Sequence, residues 1–162
     1  MNAAGSTTPA QVFTKVIRPR LGFLGLGWIG THRLAAIGRA GVTDIVAIAD
    51  PLDEMLAAAA QYAPAALRFQ NPDDLFNVHL DAVVVATPTA QHAGQCMEAL
   101  NRGLAVFCQK PLGRNIKEVS EVIDTARSVD RFLSVDLSYR YTQALRELRQ
   151  LVQAGEIGRA HV

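Results

Sequence analysis

Cysteine is scarce in this sequence. Cys96 and Cys108 are the two among 162 residues, both lie in apolar stretches, and no CxxC or Cys/His spacing surrounds them. That argues against a disulfide frame or a zinc site and predicts buried, reduced thiols, as in a cytoplasmic protein. An excess of one charge is also missing. Sixteen basic residues face fifteen acidic ones, for a formal net charge of +1, so no sequence-wide field attracts phosphodiester backbones or anionic lipid. No nucleic-acid partner is expected. No stretch reaches the ~18 uninterrupted apolar residues of a membrane-spanning helix. Met1 to Ala10 lack the basic start and apolar run of a secretory signal, and residues 1–18 read as a loose tail ahead of one domain over 19–162. His32, His79 and His161 have no partner spacing for a metal or a triad, so no metal is expected.

With 49% hydrophobic and 19% charged residues, the chain can bury one ordinary core. Short β-branched runs alternate with longer helical ones, the pattern of βαβ units around a parallel sheet. Strands are predicted at Leu21–Leu24, Asp44–Ala49, Ala66–Phe69, Ala82–Ala86, Leu104–Cys108 and Phe132–Val135. The fourth, A-V-V-V-A, is apolar throughout, as a strand covered on both faces should be. Helices are predicted from Trp28 to Arg39, from Pro51 as a first helical residue to about Tyr62, at Asn71 to Asp74, and from Ala90 to Arg102 with Gly103 as a left-handed stop. Asn115 and Glu118 suggest a capping-box start for the next helix. Thr142 is expected to cap the last, in which Leu145, Leu148 and Val152 line up before Gly155. The result is a single three-layer α/β domain around a doubly wound parallel sheet, the Rossmann arrangement.

Chemistry concentrates at strand ends. Gly25-Leu26-Gly27-Trp28-Ile29-Gly30 reads GxGxxG directly after the first strand and opens a helix. Such glycines allow a tight turn, admit a pyrophosphate, and let helix meet strand, while the helix N-terminus offers N–H groups and positive potential. Asp50 follows Gly30 by twenty residues at the end of the second strand, where a carboxylate can hold ribose hydroxyls and would repel a 2′-phosphate. NAD is favoured over NADP, which stays open. Thr87, Pro88 and His92 follow strand four, and Gln109-Lys110-Pro111 follows strand five, all at the carboxyl edge where open parallel sheets bind ligands.

Together with GFLGLGWIG, AIADP, VDLSYRY and LVQAGEIG, these segments resemble the Gfo/Idh/MocA family of glucose-fructose oxidoreductases and inositol dehydrogenases, from about Arg20 to Val162. The resemblance implies an NAD(P)-dependent oxidoreductase that transfers hydride to or from a sugar, cyclitol or polyol hydroxyl. It makes Lys110 the catalytic residue and places Gly25, Gly27, Trp28, Ile29, Gly30, Asp50, Thr87, Pro88, His92, Gln109 and Lys110 against the cofactor. Tyr139 and Arg140 match a segment leading toward the substrate. The family motif is Glu-Lys-Pro, so Gln109 keeps a hydrogen-bonding side chain and loses a negative charge. Family members also continue into a sheet-rich second domain that is absent from this chain. A homo-oligomer is left open. The alternative reading is a nucleotide-binding or assembly module without chemistry, which Gln109 and the short length favour.

Overall fold

The computed structural model describes residues 17–158; most of the expected tail and His161 lie outside the described residues. Six parallel strands are present: β1 Arg20–Leu24, β2 Asp44–Ala49, β3 Leu67–Phe69, β4 Ala82–Val85, β5 Ala105–Gln109 and β6 Leu133–Asp136. They form one sheet in the order β3-β2-β1-β4-β5-β6. The order reverses between β1 and β4, which opens a crevice at the carboxyl ends of those two strands. Helices α1 Trp28–Ala40, α2 Asp53–Ala59, α3 Pro72–Leu75, α4 Thr89–Asn101, α5 Ile116–Ser128 and α6 Gln143–Gln153 connect or follow the strands.

The apolar runs are continuous because neighbouring side chains on a strand point to opposite faces and both faces are covered. Leu24, Val83, Val85, Val106 and Cys108 pack with Leu75 of α3, Cys96 and Leu100 of α4, and Val122 and Ala126 of α5. Phe23, Ile48 and Val84 point the other way, onto Leu34 of α1 and Leu56 and Ala59 of α2. Burying each such large side chain contributes roughly 1.5–3 kcal/mol. Among the described residues, no helix is long and apolar enough to cross a membrane.

Several local expectations need correction. Pro51 is not the first residue of α2, which starts at Asp53 with Leu52 as its cap and stops at Ala59, short of Tyr62. The Asp50 carboxylate accepts from the Leu52 amide and so turns the chain before the helix begins. Thr142 stands at the cap position of α6, yet its hydroxyl donates back to the Tyr139 carbonyl at 2.8 Å and leaves the helix uncapped by side chain. Leu145, Leu148 and Val152 do line one face of α6, but all are exposed. Asn115 accepts from the Glu118 amide as expected, while Glu118 returns to the Arg114 amide, one residue earlier than a capping box requires. β5 and β6 each start and end one residue later than predicted. This shift places Gln109 opposite Asp136 as the last pair in register.

Candidate active site

The glycine loop begins at Gly25, whose φ of 85° is open to glycine and strained for other residues. Its N–H donates to the Ala49 carbonyl at 2.9 Å, and a Cβ there would stand 2.7 Å from the Ala86 backbone. A Cβ on Gly30 would collide with the Gly25 carbonyl oxygen, so α1 and β1 meet through glycine alone. Gly27 differs from both. A Cβ built on it would meet nothing within 4 Å, so an open cradle lies over its backbone. The first turn of α1 has no side-chain cap and no acidic residue, which leaves its N–H groups and positive end free for an anion such as a pyrophosphate. The residues present therefore fit a dinucleotide. Trp28, 78% exposed, flanks the cradle with its ring 4.7 Å from that of His32.

Asp50 is 8% exposed and serves the loop itself. Its Oδ2 accepts from the Leu26 amide at 2.8 Å and its Oδ1 from the Leu52 amide at 3.0 Å. Each oxygen keeps a further lone pair. A cavity of about 620 Å³ on this side is lined by Gly25, Gly27, Asp50, Met55, Thr87 and Pro88, among others.

Across the loop lies a second cavity of about 770 Å³, and Thr87 and Pro88 border both. Trp28, Ile29, His92, Gln109, Lys110, Tyr139 and Arg140 line it, so the fold brings these sequence-predicted residues together from four segments. Gly30 lines neither cavity; its place is the contact between helix and strand.

His92 fixes the β4 and β5 loops to each other. Its Nδ1 is 2.7 Å from the Pro111 carbonyl oxygen and its Nε2 is 2.7 Å from that of Thr87. Carbonyl oxygens only accept, so both ring nitrogens must carry protons and the buried imidazole is held as a cation. Burial opposes that charge, but hydrogen bonding with Cys108 and with the two carbonyls prevails and His92 is pushed up to about 9. Cys108 moves the other way, to about 6, chiefly through a hydrogen bond from Cys96, with His92 adding to it against burial. The Cys96 thiol is pushed up by the same bond and by burial. Both cysteines are free and buried, as the sequence suggested.

Arg33 and Asp136 escaped the sequence reading. Nothing distinguishes an arginine in mid-helix or an aspartate at a strand end until the fold joins them. The Gln109 amide and Arg33 Nε both donate to Asp136 Oδ2, and Arg33 Nη2 donates to Ser138 Oγ at 3.2 Å. Burial would raise the Asp136 carboxyl, but these partners outweigh it and hold the group below the usual carboxylate range. His32, which has no partner spacing in the sequence for a metal or a triad, also borders this cavity.

The family described as "Oxidoreductase family, NAD-binding Rossmann fold" matches residues 19–137. Inositol 2-dehydrogenase of Leifsonia xyli is 36% identical over 143 residues, covering 86% of this chain and 42% of that protein. Myo-inositol 2-dehydrogenase of Thermotoga maritima is 27% identical, covering 88% and 43%. Scyllo-inositol dehydrogenase from Lactobacillus casei, solved with NAD(H) and scyllo-inositol, superposes with a TM-score of 0.79 at 25% identity, covering 88% of this chain and 43% of that one. The WlbA dehydrogenase from Bordetella pertussis, solved with NADH and UDP-GlcNAcA, gives 0.79 at 25%, covering 88% and 44%. The chain thus spans less than half the length of the relatives it matches. Strand order, glycine loop and family match agree, and the chain belongs to the Gfo/Idh/MocA oxidoreductase family as its NAD-binding Rossmann domain.

Proposed function

We propose that this chain binds NAD across the β1–α1 loop and forms the cofactor half of a dehydrogenase acting on a hydroxyl of a sugar, cyclitol or related polyol. The observation that carries the reading is the pair of cavities sharing Thr87 and Pro88 on either side of the Gly27 cradle. The adenosine half fits the Asp50 side, the pyrophosphate the cradle, and the nicotinamide half the Lys110 side. When bound, NAD supplies a hydride acceptor. Lys110, exposed at the larger cavity, assists removal of the proton from the substrate hydroxyl, while His92 and Asp50 keep the loops in place. Tyr139 and Arg140 border the same cavity and are assigned to the substrate side. Relatives of this chain are named as dehydrogenases of inositol, and a structural neighbour was solved with a UDP-sugar acid, which supports a polyhydroxylated substrate.

Titrating the protein with NADH and NADPH while following Trp28 fluorescence tests this reading. Saturable quenching with tighter binding of NADH is expected, because Asp50 would face a 2′-phosphate with its own negative charge. Tighter NADPH binding would refute the role of Asp50, and no binding by a folded protein would refute the reading as a whole.

A second reading, an assembly module without chemistry, is favoured by the exposed apolar face of α6, along which Leu145, Leu148 and Val152 are 42%, 45% and 54% exposed. A steady-state assay with inositols and NAD separates the two. Turnover by this chain would exclude the module.

A further inference from the structure

We propose that Asp136 supplies from the end of β6 the negative charge that Gln109 omits from the end of β5, and that this carboxylate biases the larger cavity toward the oxidised, positively charged nicotinamide. The inference rests on the cofactor reading above.

Three observations lead to it. Gln109 and Asp136 are registered partners on adjacent strands, 5% and 6% exposed, and the Gln109 amide donates to the Asp136 carboxylate. A glutamate at 109 would set two nearly buried carboxylates against each other, and one would have to take up a proton. An amide at 109 is therefore the side chain that an ionised Asp136 requires, and the departure from Glu-Lys-Pro relocates the charge instead of deleting it. Second, Arg33 reaches from α1 to the same carboxylate oxygen and to Ser138, fixing the group beside the cavity. Third, Asp136 is the one acidic residue lining that cavity among the described residues, where Arg33, Lys110, Arg140 and the protonated His92 bring positive charge.

The oxidised nicotinamide ring carries a positive charge and the reduced ring carries none. With Asp136 neutralised, the charged side chains lining the cavity among the described residues would all be cations, so NAD+ would be penalised and NADH left almost untouched. For unit charges ~10 Å apart in an intermediate dielectric, the difference is roughly fivefold in relative affinity. A purely structural clamp would change both affinities together.

The test compares wild type, Asp136→Asn and the double variant Gln109→Glu/Asp136→Asn, each titrated with NAD+ and with NADH through Trp28 fluorescence after a thermal melt confirms folding. Asp136→Asn should weaken NAD+ relative to NADH by roughly fivefold. The double variant returns the carboxylate to β5 and should restore the wild-type ratio. Equal changes for both cofactor forms, or a double variant that keeps the Asp136→Asn ratio, would overturn the inference while the cofactor reading stood. If the single variant does not fold, wild type against the double variant decides: equal ratios support relocation, and a ratio shifted toward NADH overturns it. A folded wild type that binds neither form overturns both readings.

Discussion

Gly27→Ala is expected to leave the melting temperature within a few degrees of wild type and to weaken NADH binding by at least tenfold, whereas Gly30→Ala should damage the fold itself. The two substitutions add the same methyl group three residues apart in one loop. At Gly27 it enters open space above the backbone, where no protein atom lies within 4 Å and φ is an ordinary −59°. Folding should therefore hardly change, but a pyrophosphate that must approach this backbone is displaced. One lost charge-assisted hydrogen bond of about 1.5–3 kcal/mol already accounts for a tenfold loss. At Gly30 the methyl meets the Gly25 carbonyl, a backbone atom tied in turn to β1, so relief requires moving α1 off the sheet. Overpacking of this kind costs about 1–3 kcal/mol or more. Differential scanning calorimetry and NADH titration of both variants would check the contrast. A Gly27→Ala protein that binds NADH as well as wild type would remove the cradle from the site.

The second large effect concerns His92. Its folded value, about 9, lies above its unfolded value of 6.5, so its share of stability is complete below pH 6.5 and lost as pH rises to about 9. Cys108 has the opposite sign. Lowered from 9.0 to about 6, its share is lost as pH falls through about 6 and complete above 9. Between pH 6.5 and 9 the two slopes oppose each other, and wild-type stability should be nearly flat from this pair. Cys108→Ala unmasks the histidine. Its unfolding free energy should then fall by about 2 kcal/mol between pH 6.5 and 9, less than the full rise would give because Cys108 supplies part of it. Urea unfolding across that range measures it, and Cys108→Ala/His92→Asn should lose the slope. A flat profile in Cys108→Ala would mean that His92 is neutral and that one carbonyl faces a bare ring nitrogen.

Both predictions turn on the strand-end loops, and there the sequence was unevenly informative. The GxGxxG spacing and Asp50 were legible because each residue answers to local backbone geometry: a positive φ at Gly25, a helix start at Trp28, and an acid closing β2. The alternation of apolar runs gave the sheet and its helices for the same reason, since covering both faces leaves a continuous β-branched run in β4. Boundaries were less legible. Leu104 and Phe132 look like strand residues by type, but pairing starts at Ala105, against β4, and at Leu133, against β5, a matter decided by the neighbouring strand. The apolar face of α6 was legible as a pattern, and its exposure was not. An amphipathic stripe records that something apolar belongs against it without saying what.

Determined by the sequence alone, then, are the doubly wound sheet, the dinucleotide loop and the placement of Lys110 at a carboxyl edge, because each follows from interactions within a few residues or from a repeated period. The tertiary structure decided what required distant residues to meet. Arg33 and Asp136 are 103 positions apart and become partners only when α1 is folded back beside β6. His92 becomes a cation only because α4 carries it between two loop carbonyls, and Gln109 acquires a reason only when the β5–β6 register sets it against Asp136. Charge and protonation depend on the full three-dimensional set of neighbours, and one-dimensional spacing does not contain that set.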